Sequence, residues 1–410
     1  MNPIIDGCAG LDVHQATVMA TVRLRDEAGG RRSITAEFST TTLGLLTLRD
    51  WLHAYGVTQV AMESTGVYWK PVYYVLEDDF SLLLVNAQHI KRVPGRKTDV
   101  TDSDWIAQLL ECGLLRASFV PPRPIRDLRD LTRYRKHQIR DRAREVNRLH
   151  RVLEDAGLKL STVASDVMGV SGRAMLDALL HGTTDPAVLA DLAKGKLRRK
   201  LPALREALQG HFRAHHAWLV GQILAKIDFL DEMITSLTGE IDRLVAPFAP
   251  MLANLDTIPG VDRKAAITIL AETGGDMSRF ETDHRLCSWA AICPGQHESA
   301  GKRRSGKTRK GNPYLRTTLI ECGLAASRAN RTALQACYRR VRRNRGHKKA
   351  VVATGHQILR IAFHVMHRNV SYHELGADYL DQRQRDRAIR RHVRQLEQLG
   401  YKVLLVEPAA

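Results

Sequence analysis

The stretch IIDGCAGLDVHQATVMATVRL, residues 4–24, contains two apolar runs that flank a short polar segment. Runs of this length, rich in β-branched residues, are typical of strands, so we predict strands at 4–13 and 17–24. The turn sequence DEAGGR then precedes a third predicted strand at 32–39. The chain therefore opens with a three-stranded meander.

Helical and extended patterns alternate after the meander. They predict, in order, a helix at 43–55, a strand at 57–63, a helix at 67–78, a strand at 80–85 and a helix that ends near Leu115. The resulting order, β-β-β-α-β-α-β-α, is that of an α/β ribonuclease H-like domain. We expect this domain over residues 1–118.

The charge balance indicates a polyanionic partner. Lys and Arg number 62 against 44 Asp and Glu, a net charge of +18, and nucleic acid is the commonest partner of so basic a chain. A basic structural protein is the alternative. With 44% hydrophobic and 26% charged residues, the 410 residues predict two or three folded domains and exclude a disordered or fibrous chain.

The sequence predicts a cytoplasmic protein with no membrane partner. Asp6 lies near the N-terminus without a basic segment ahead of a long apolar run, so a secretory signal peptide is not expected. No apolar run approaches the ~18 residues of a membrane span. The six cysteines form no CxxC pair and are expected to be reduced, mostly buried thiols.

A basic helix at 125–153 begins the helical connector that we predict over 119–250. Residues 123–151 carry eleven Lys or Arg against four acids, which favours one face that contacts phosphates, with Arg133, Arg140 and Arg144 as candidates. A merely solvated helix face is the alternative.

The second half of the connector contains an apolar seam with alternating spacings of three and four. Its members are Val220, Ile223, Ile227, Leu230, Ile234, Leu237, Ile241 and Leu244. This a/d pattern over about three and a half heptads predicts a coiled coil. The seam can pack against the basic helix of its own chain or against another protomer.

A mostly helical third module is expected over 251–372. It starts with a helix, a Pro259-Gly260 turn and a second helix from near Asp262. A helix-hairpin-helix element would offer backbone N–H groups near Gly260 to a phosphate, and an ordinary αα-hairpin is an equal alternative. Residues 373–410 predict a charged terminal helix.

The segment GKRRSGKTRK, residues 301–310, has six cations in ten positions. Such a run in a Gly-rich loop favours phosphate binding. The candidate contacts are Lys302, Arg303, Arg304, Lys307, Arg309 and Lys310.

Acidic residues of the first domain form a candidate metal site. Asp12 ends the first predicted strand and Glu63 ends the fourth, while Asp99 and Asp102 accompany the start of the last helix. Metal-dependent phosphodiester cleavage requires hard oxygen ligands from several elements, which such a set supplies to Mg²⁺.

Helical spacing favours Asp99 and Asp102, which share one face, over Asp104, which is turned about 200° from Asp102. If the helix begins at Thr101, however, Asp99 belongs to the preceding loop. Capping or solvation is the alternative role for any one of these acids.

Five segments in this order resemble the DEDD insertion-sequence transposases of the IS110 type, also known as bridge-RNA-guided recombinases. They are GLDVHQ (10–15), AMESTGVYW (61–69), GRKTDVTDSDWIAQLLECGLL (95–115), IPGVDRKAAITILAE (258–272) and CPGQHESAGKRRSGKTRKGNPYLR (293–316). The resemblance covers about residues 5–370. It implies a RuvC-like domain joined through a coiled-coil connector to a mostly α C-terminal transposase domain that supplies a nucleophilic serine.

The resemblance also implies residue roles. The DEDD carboxylates correspond to Asp12, Glu63, Asp99 and Asp102, with two Mg²⁺ ions expected, and the nucleophile corresponds to Ser299. Some relatives have a direct Ser-Gly pair, so Ser305, followed by Gly306, is the second candidate. Arg96 and Lys97 join the expected nucleic-acid contacts.

The implied function is site-specific recombination that mobilises an insertion sequence in a prokaryotic nucleoid. The expected partners are donor DNA, target DNA and an element-encoded guide RNA. A homo-oligomer, dimer or tetramer, would bring the carboxylates of one protomer to the serine loop of another. A junction-resolvase-like metal nuclease and a non-catalytic nucleic-acid-binding scaffold are the competing functions.

Overall fold

The computed structural model describes residues 4–25, 30–64, 66–86, 102–295 and 297–404. The chain divides into two compact units, Met1–Val120 and Pro121–Ala410. None of the helices in these described ranges is long and apolar enough to cross a membrane. All six cysteines are free thiols, and three of them are buried.

The first unit is an α/β domain, as predicted. Its elements are β1 (Gly7–Val13), β2 (Thr17–Arg25), β3 (Arg31–Ser39), α1 (Thr42–Ala54), β4 (Gln59–Glu63), α2 (Trp69–Leu76), β5 (Ser81–Val85) and α3 (Asp102–Glu111). They form a five-stranded sheet in the order β3-β2-β1-β4-β5. β1 pairs antiparallel with β2 and parallel with β4, and β4 pairs parallel with β5.

Helices cover both faces of this sheet because side chains alternate along β1. Ala9 and Leu11 pack in the cluster that contains the buried leucines of α1 and α2. Cys8 points to the other face, where it packs with Ile106 and Leu109 of α3. The central strands are therefore buried on both sides, which explains their nearly continuous apolar sequence.

The second unit is mostly helical, again as predicted. Its helices are α4 (Arg123–Asp155), α5 (Leu160–Val163), α6 (Val170–Leu180), α7 (Pro186–Asp191), α8 (Leu201–Ala207), α9 (Ala214–Val245), α10 (Ala249–Asp256), α11 (Arg263–Thr273), α12 (Asp283–Trp289), α13 (Pro313–Ala326), α14 (Ala333–Arg345), α15 (His347–Arg368) and α16 (Tyr379–Gln398). A two-stranded hairpin, β6 (His297–Ser299) and β7 (Lys302–Ser305), interrupts them.

The basic helix α4 and the seam-bearing helix α9 pack against each other within the chain. Lys226 of α9 pairs with Glu145 of α4. Near the start of α9, His216 pairs with Asp155, the last residue of α4. Partner numbers that rise on one helix as they fall on the other show that the two helices run antiparallel. Five of the eight seam residues are buried, namely Val220, Ile223, Ile227, Leu230 and Ile241.

Residues 156–213 form a small helical insertion between α4 and α9. Its core joins Leu176 and Leu204 of the insertion to Leu149 of α4 and Val220 of α9. Two backbone hydrogen bonds close its base: His211 N–H donates to the Ala156 carbonyl and Lys159 N–H to the Ala207 carbonyl, both at 2.7 Å. The insertion is thus an extension of the helical pair.

Candidate active site and nucleic-acid interface

Two of the predicted metal-ligating acids lie side by side at the carboxyl edge of the sheet. In the parallel β1–β4 pair, Leu11 lies opposite Met62, so the next residues, Asp12 and Glu63, end their strands next to each other. Alternation along the strands places both on the sheet face that carries Cys8 and Ala61. That face is the one covered by α3.

Helix α3 lies against β1 at Gly10. A Cβ added to Gly10 would lie 2.2 Å from the Ser103 carbonyl oxygen and 2.4 Å from the Ala107 nitrogen. The Ser103 hydroxyl also lies 2.8 Å from the Thr21 hydroxyl of β2. These contacts fix the first turn of α3 over β1, two residues before Asp12, and Asp102 is the first residue of that turn.

The other acids of α3 have partners within the first unit. Asp104 accepts hydrogen bonds from Arg23 at 2.7 Å and from Ser33 at 2.8 Å. Glu111, which is buried, pairs with Arg23 at 3.0 Å. Asp104 therefore ties α3 to β2 and β3, whereas Asp102 is exposed at the carboxyl edge.

Asp12, Glu63 and Asp102 thus belong to one edge of the first unit, but their carboxylate oxygens do not all lie within 4.8 Å of one another. Asp12 also lies 3.2 Å from the exposed His14 imidazole. The fourth predicted carboxylate, Asp99, and the predicted nucleic-acid contacts Arg96 and Lys97 lie outside the described residues.

A different group, Asp155, His215 and His216, has its possible metal-ligand atoms within 4.8 Å of one another. Among the described residues it is the only group of three or more that meets this distance. The Arg213 N–H donates to His216 Nδ1 at 3.1 Å, and His216 Nε2 lies 3.0 Å from Asp155. Because Nδ1 accepts, Nε2 carries the ring proton and donates it to Asp155. His216 has no free lone pair for a metal and acts as a cap of α9.

The predicted nucleophile lies at the turn of the β6–β7 hairpin, where the sequence predicted a loop. Ser299 pairs with Lys302 across a two-residue turn of Ala300 and Gly301, whose φ angles are 50° and 72°. Positive φ at both turn residues is the type I′ geometry. It suits Gly301 but costs a non-glycine residue such as Ala300 about 1 kcal/mol or more.

The base of the hairpin is anchored to the body of the second unit. Gly295 N–H donates to the Lys307 carbonyl at 3.0 Å. Arg309, a predicted phosphate contact, donates to the Ser288 carbonyl at 3.1 Å and to its hydroxyl at 2.8 Å. Ser305, the second candidate nucleophile, accepts the Lys307 N–H at 3.2 Å.

Glu272 is a buried carboxylate that the sequence did not single out. It joins the basic helix α4 to Asn312, the residue that precedes α13. Arg133 donates to its two oxygens at 2.8 and 2.7 Å, and the Asn312 amide donates at 2.5 Å. Asn312 in turn accepts the Tyr314 N–H and caps α13. The Asn-Pro dipeptide at 312–313 was the available signal, since an N-cap followed by Pro begins many helices.

Several predicted phosphate contacts differ in how their charge is compensated. Arg133 is bound to Glu272, and Arg144 pairs with Asp141 at 2.6 Å. Arg140 lies 6.0 Å from the centre of the Tyr314 ring and is exposed. In the basic segment 301–310, Lys302, Lys307 and Lys310 are exposed.

Gly260 has a packing role in the structure. Its φ is 88°, and a Cβ there would lie 2.5 Å from the Cys322 carbonyl oxygen of α13. The N-terminus of α11 is capped by Asp262, whose side chain accepts the Ala265 N–H at 2.8 Å. The turn therefore brings α11 close to α13, and a carboxylate already occupies the helix cap.

Comparison with known proteins identifies the family of the chain. The DEDD transposase model of the IS110 group matches residues 9–157. The model described as the transposase IS116/IS110/IS902 family matches residues 252–339. The chain belongs to the IS110 family of transposases. The first match contains Asp12, Glu63 and Asp102, and the second contains Glu272 and the β6–β7 hairpin.

Individual relatives of the chain are distant. The transposase for insertion sequence element IS1111A of Coxiella burnetii is 25% identical over 70% of this chain and 72% of its own length. A protein of insertion element IS900 from Mycobacterium paratuberculosis is 28% identical over 72% of this chain and 80% of its own. The protein y4qE of Sinorhizobium fredii is 28% identical over 58% of this chain, and the match spans about half (51%) of y4qE.

Proposed function

We propose that the chain is a site-specific DNA recombinase that mobilises its insertion sequence, and that its first unit is a RuvC-like catalytic domain. The observation that supports this proposal is that Asp12 and Glu63 end adjacent strands of a sheet ordered β3-β2-β1-β4-β5, and that Asp102 begins the helix packed on the same face. That order and edge are what a ribonuclease H-like catalytic domain requires. A non-catalytic nucleic-acid-binding scaffold would not require acids at these three positions.

The carboxylates suit Mg²⁺ because they offer only hard oxygen ligands. Asp12 and Glu63 come from adjacent strands and Asp102 from a helix, so they can hold an ion from different directions, with Asp99 as the fourth ligand in this proposal. Mg²⁺ bound there would stabilise the negative charge that develops at a scissile phosphate. The Asp104–Arg23 bond supports the same site indirectly, since it holds α3 in place.

Ser299 is the nucleophile in this proposal. Its hydroxyl would attack phosphorus and lose its proton, a P–O bond to the deoxyribose would break, and the leaving oxygen would take up a proton. The resulting phosphoserine keeps the DNA strand attached until a second strand replaces it. The backbone position of Ser299 beside a tight turn, in a hairpin whose base is anchored by Arg309, supports this role.

An element-encoded RNA would select the donor and target sites by base pairing, and the protein would bind the backbones of both nucleic acids. The net charge of +18 and the two separate basic segments support this part of the proposal. Because the carboxylates and Ser299 belong to different units of the chain, we propose that the active form is a homodimer or tetramer with composite active sites.

The experiment for the carboxylates is a strand-cleavage assay with cognate DNA, RNA and Mg²⁺. Asp12→Asn, Glu63→Gln and Asp102→Asn should each abolish cleavage with little loss of nucleic-acid binding. Asp104→Asn, on the same helix as Asp102, is the matched control and should retain cleavage at some cost in stability. Full cleavage by all three test variants would exclude the proposed metal site.

A further inference from the structure

A cavity of about 550 Å³, lined by apolar surface and several charged side chains, lies within the second unit, between α4, the 260–262 turn with α11, and α13. Three of its lining cations, Arg135 and Lys136 of α4 and Lys264 of α11, have no role in the contacts described above. The net charge of the wall depends on whether acids of the protein already neutralise them.

Arg135 is a buried arginine that forms no ion pair with the residues described in the structure. It is 8% exposed, and its hydrogen bond to the Thr238 hydroxyl is long, 3.5 Å. The negative charges of Asp242 and Asp262 favour the charged form of Arg135. Both acids already have other partners, because Asp242 pairs with Arg263 at 3.0 Å and Asp262 caps α11. Burying a guanidinium with five donors and so few partners costs free energy unless an anion joins it.

Lys136, the next residue of α4, is half-buried and also has few partners. Its Nζ lies 3.4 Å from the Thr318 hydroxyl, and across the described ranges neither Arg135 nor Lys136 forms a salt bridge. Burial lowers the pKa of Lys136, and the charges of Glu321 and Glu272 oppose this shift only in part. Glu272 is already held by Arg133 and Asn312.

We propose that this cavity is a phosphate-binding site for the nucleic-acid backbone, in which Arg135 and Lys136 contact a phosphodiester and the exposed Lys264 contacts it from the rim. The proposal rests on the proposed function and names which cations of the basic helix bind phosphate. Arg133, by contrast, is committed to Glu272. Tyr314, whose ring lies 4.7 Å from the Arg133 guanidinium, forms part of the same wall.

The test uses a variant, Lys136→Met, that should keep or raise the stability of the protein while it weakens nucleic-acid binding. Lys136→Met removes a charge that is costly to bury in the free protein, so its melting temperature should equal or exceed that of the wild type. Its affinity for labelled duplex DNA should fall about tenfold, as for one lost charged contact. The slope of log K against log salt should decrease by about 0.9, the value for one neutralised phosphate of B-DNA.

Arg151→Met is the control because Arg151 is an exposed cation of the same helix; it should leave affinity and slope near the wild-type values. Lys136→Arg should restore both. A parallel titration with labelled single-stranded RNA shows whether the phosphate belongs to DNA, to RNA or to both, since the slope falls only for the nucleic acid that occupies the cavity.

The proposal is overturned if Lys136→Met binds both nucleic acids with wild-type affinity and slope. It is also overturned if the variant melts lower than the wild type and Lys136→Arg restores stability alone, because Lys136 would then be a structural residue. Failure of the proposed function is distinguishable, since it would appear as absent strand cleavage in the wild type with cognate DNA, RNA and Mg²⁺.

Discussion

The substitution Gly10→Ala tests how the fold positions the carboxylates, because it changes no acid. The new Cβ would lie 2.2 Å from the Ser103 carbonyl oxygen and 2.4 Å from the Ala107 nitrogen. Both are backbone atoms of α3, so no side-chain rotation can relieve the contact. The whole helix must move away from β1, and Asp102 must move with it.

The expected cost is large for a single methyl group. Overpacking a close contact costs about 1–3 kcal/mol or more, and alanine in a strand regains only about 0.5–1 kcal/mol relative to glycine. Taking a net loss of about 2 kcal/mol and about 4 °C per kcal/mol for a unit of this size, the melting temperature of the first unit should fall by about 8 °C. Scanning calorimetry of the full chain measures this shift.

Gly7→Ala is the matched control in the same strand. Its Cβ would lie 3.4 Å from the Leu24 side chain and 4.0 Å from the Gly56 carbonyl oxygen, both ordinary van der Waals contacts, so stability should be unchanged or slightly higher. Strand cleavage should fall in Gly10→Ala and remain in Gly7→Ala, although both keep every carboxylate. A Gly10→Ala protein that melts and cleaves like the wild type would refute the close packing of α3 on β1.

Three further predictions concern the second unit and its partners. Glu272→Gln removes the buried carboxylate that pairs with the part-buried Arg133 and should cost about 2–3 kcal/mol in urea unfolding, less than for a fully buried pair. Glu240→Gln, in an exposed pair, should leave the midpoint near the wild-type value, and equal midpoints would contradict the structural role of Glu272. Burial alone would raise the pKa of Asp283, but the hydrogen bond and charge of Arg360 outweigh it and hold that pKa below its ordinary value. The pair therefore stabilises the protein above the ordinary carboxyl pKa of about 3.9, and this stabilisation is lost as pH falls through the lower folded-state pKa. The difference in unfolding free energy between wild type and Arg360→Gln should shrink as pH falls from about 5 to about 2, and a constant difference would exclude the linkage. Affinity for the element-encoded RNA should fall steeply with salt in filter binding, and full recombination by ribonuclease-treated protein would disprove the guide.

The alternation of strands and helices in the first unit could be predicted because each element carries its own periodicity. The predicted strand at 32–39 became β3, Arg31–Ser39, and the predicted helix at 43–55 became α1, Thr42–Ala54. Gly10 also carried a usable signal, since a glycine inside a strand often marks a close backbone approach. The contact with Ser103 itself joins residues far apart in the chain and has no local pattern.

The seam on α9 predicted a packed helix but not its partner, because the same apolar stripe fits any complementary helix. The charge count on α4 predicted phosphate contacts, yet Arg133 is compensated by Glu272, 139 residues later. The turn at Ala300 was not predicted because alanine rarely adopts positive φ. Pairing across long sequence separations decides such features, and only the folded chain supplies it.

The most direct test of the proposed recombinase is a search for the protein–DNA adduct. Wild-type protein with cognate DNA, RNA and Mg²⁺ should form a species that survives denaturing electrophoresis and disappears after protease treatment. Ser299→Ala should not form it, whereas Ser305→Ala, which removes the same hydroxyl from the same hairpin, should. An adduct that persists in Ser299→Ala and vanishes in Ser305→Ala would assign the nucleophile to Ser305. Cleavage by the wild type without any adduct would contradict the recombinase and favour a nuclease in which water attacks the phosphate.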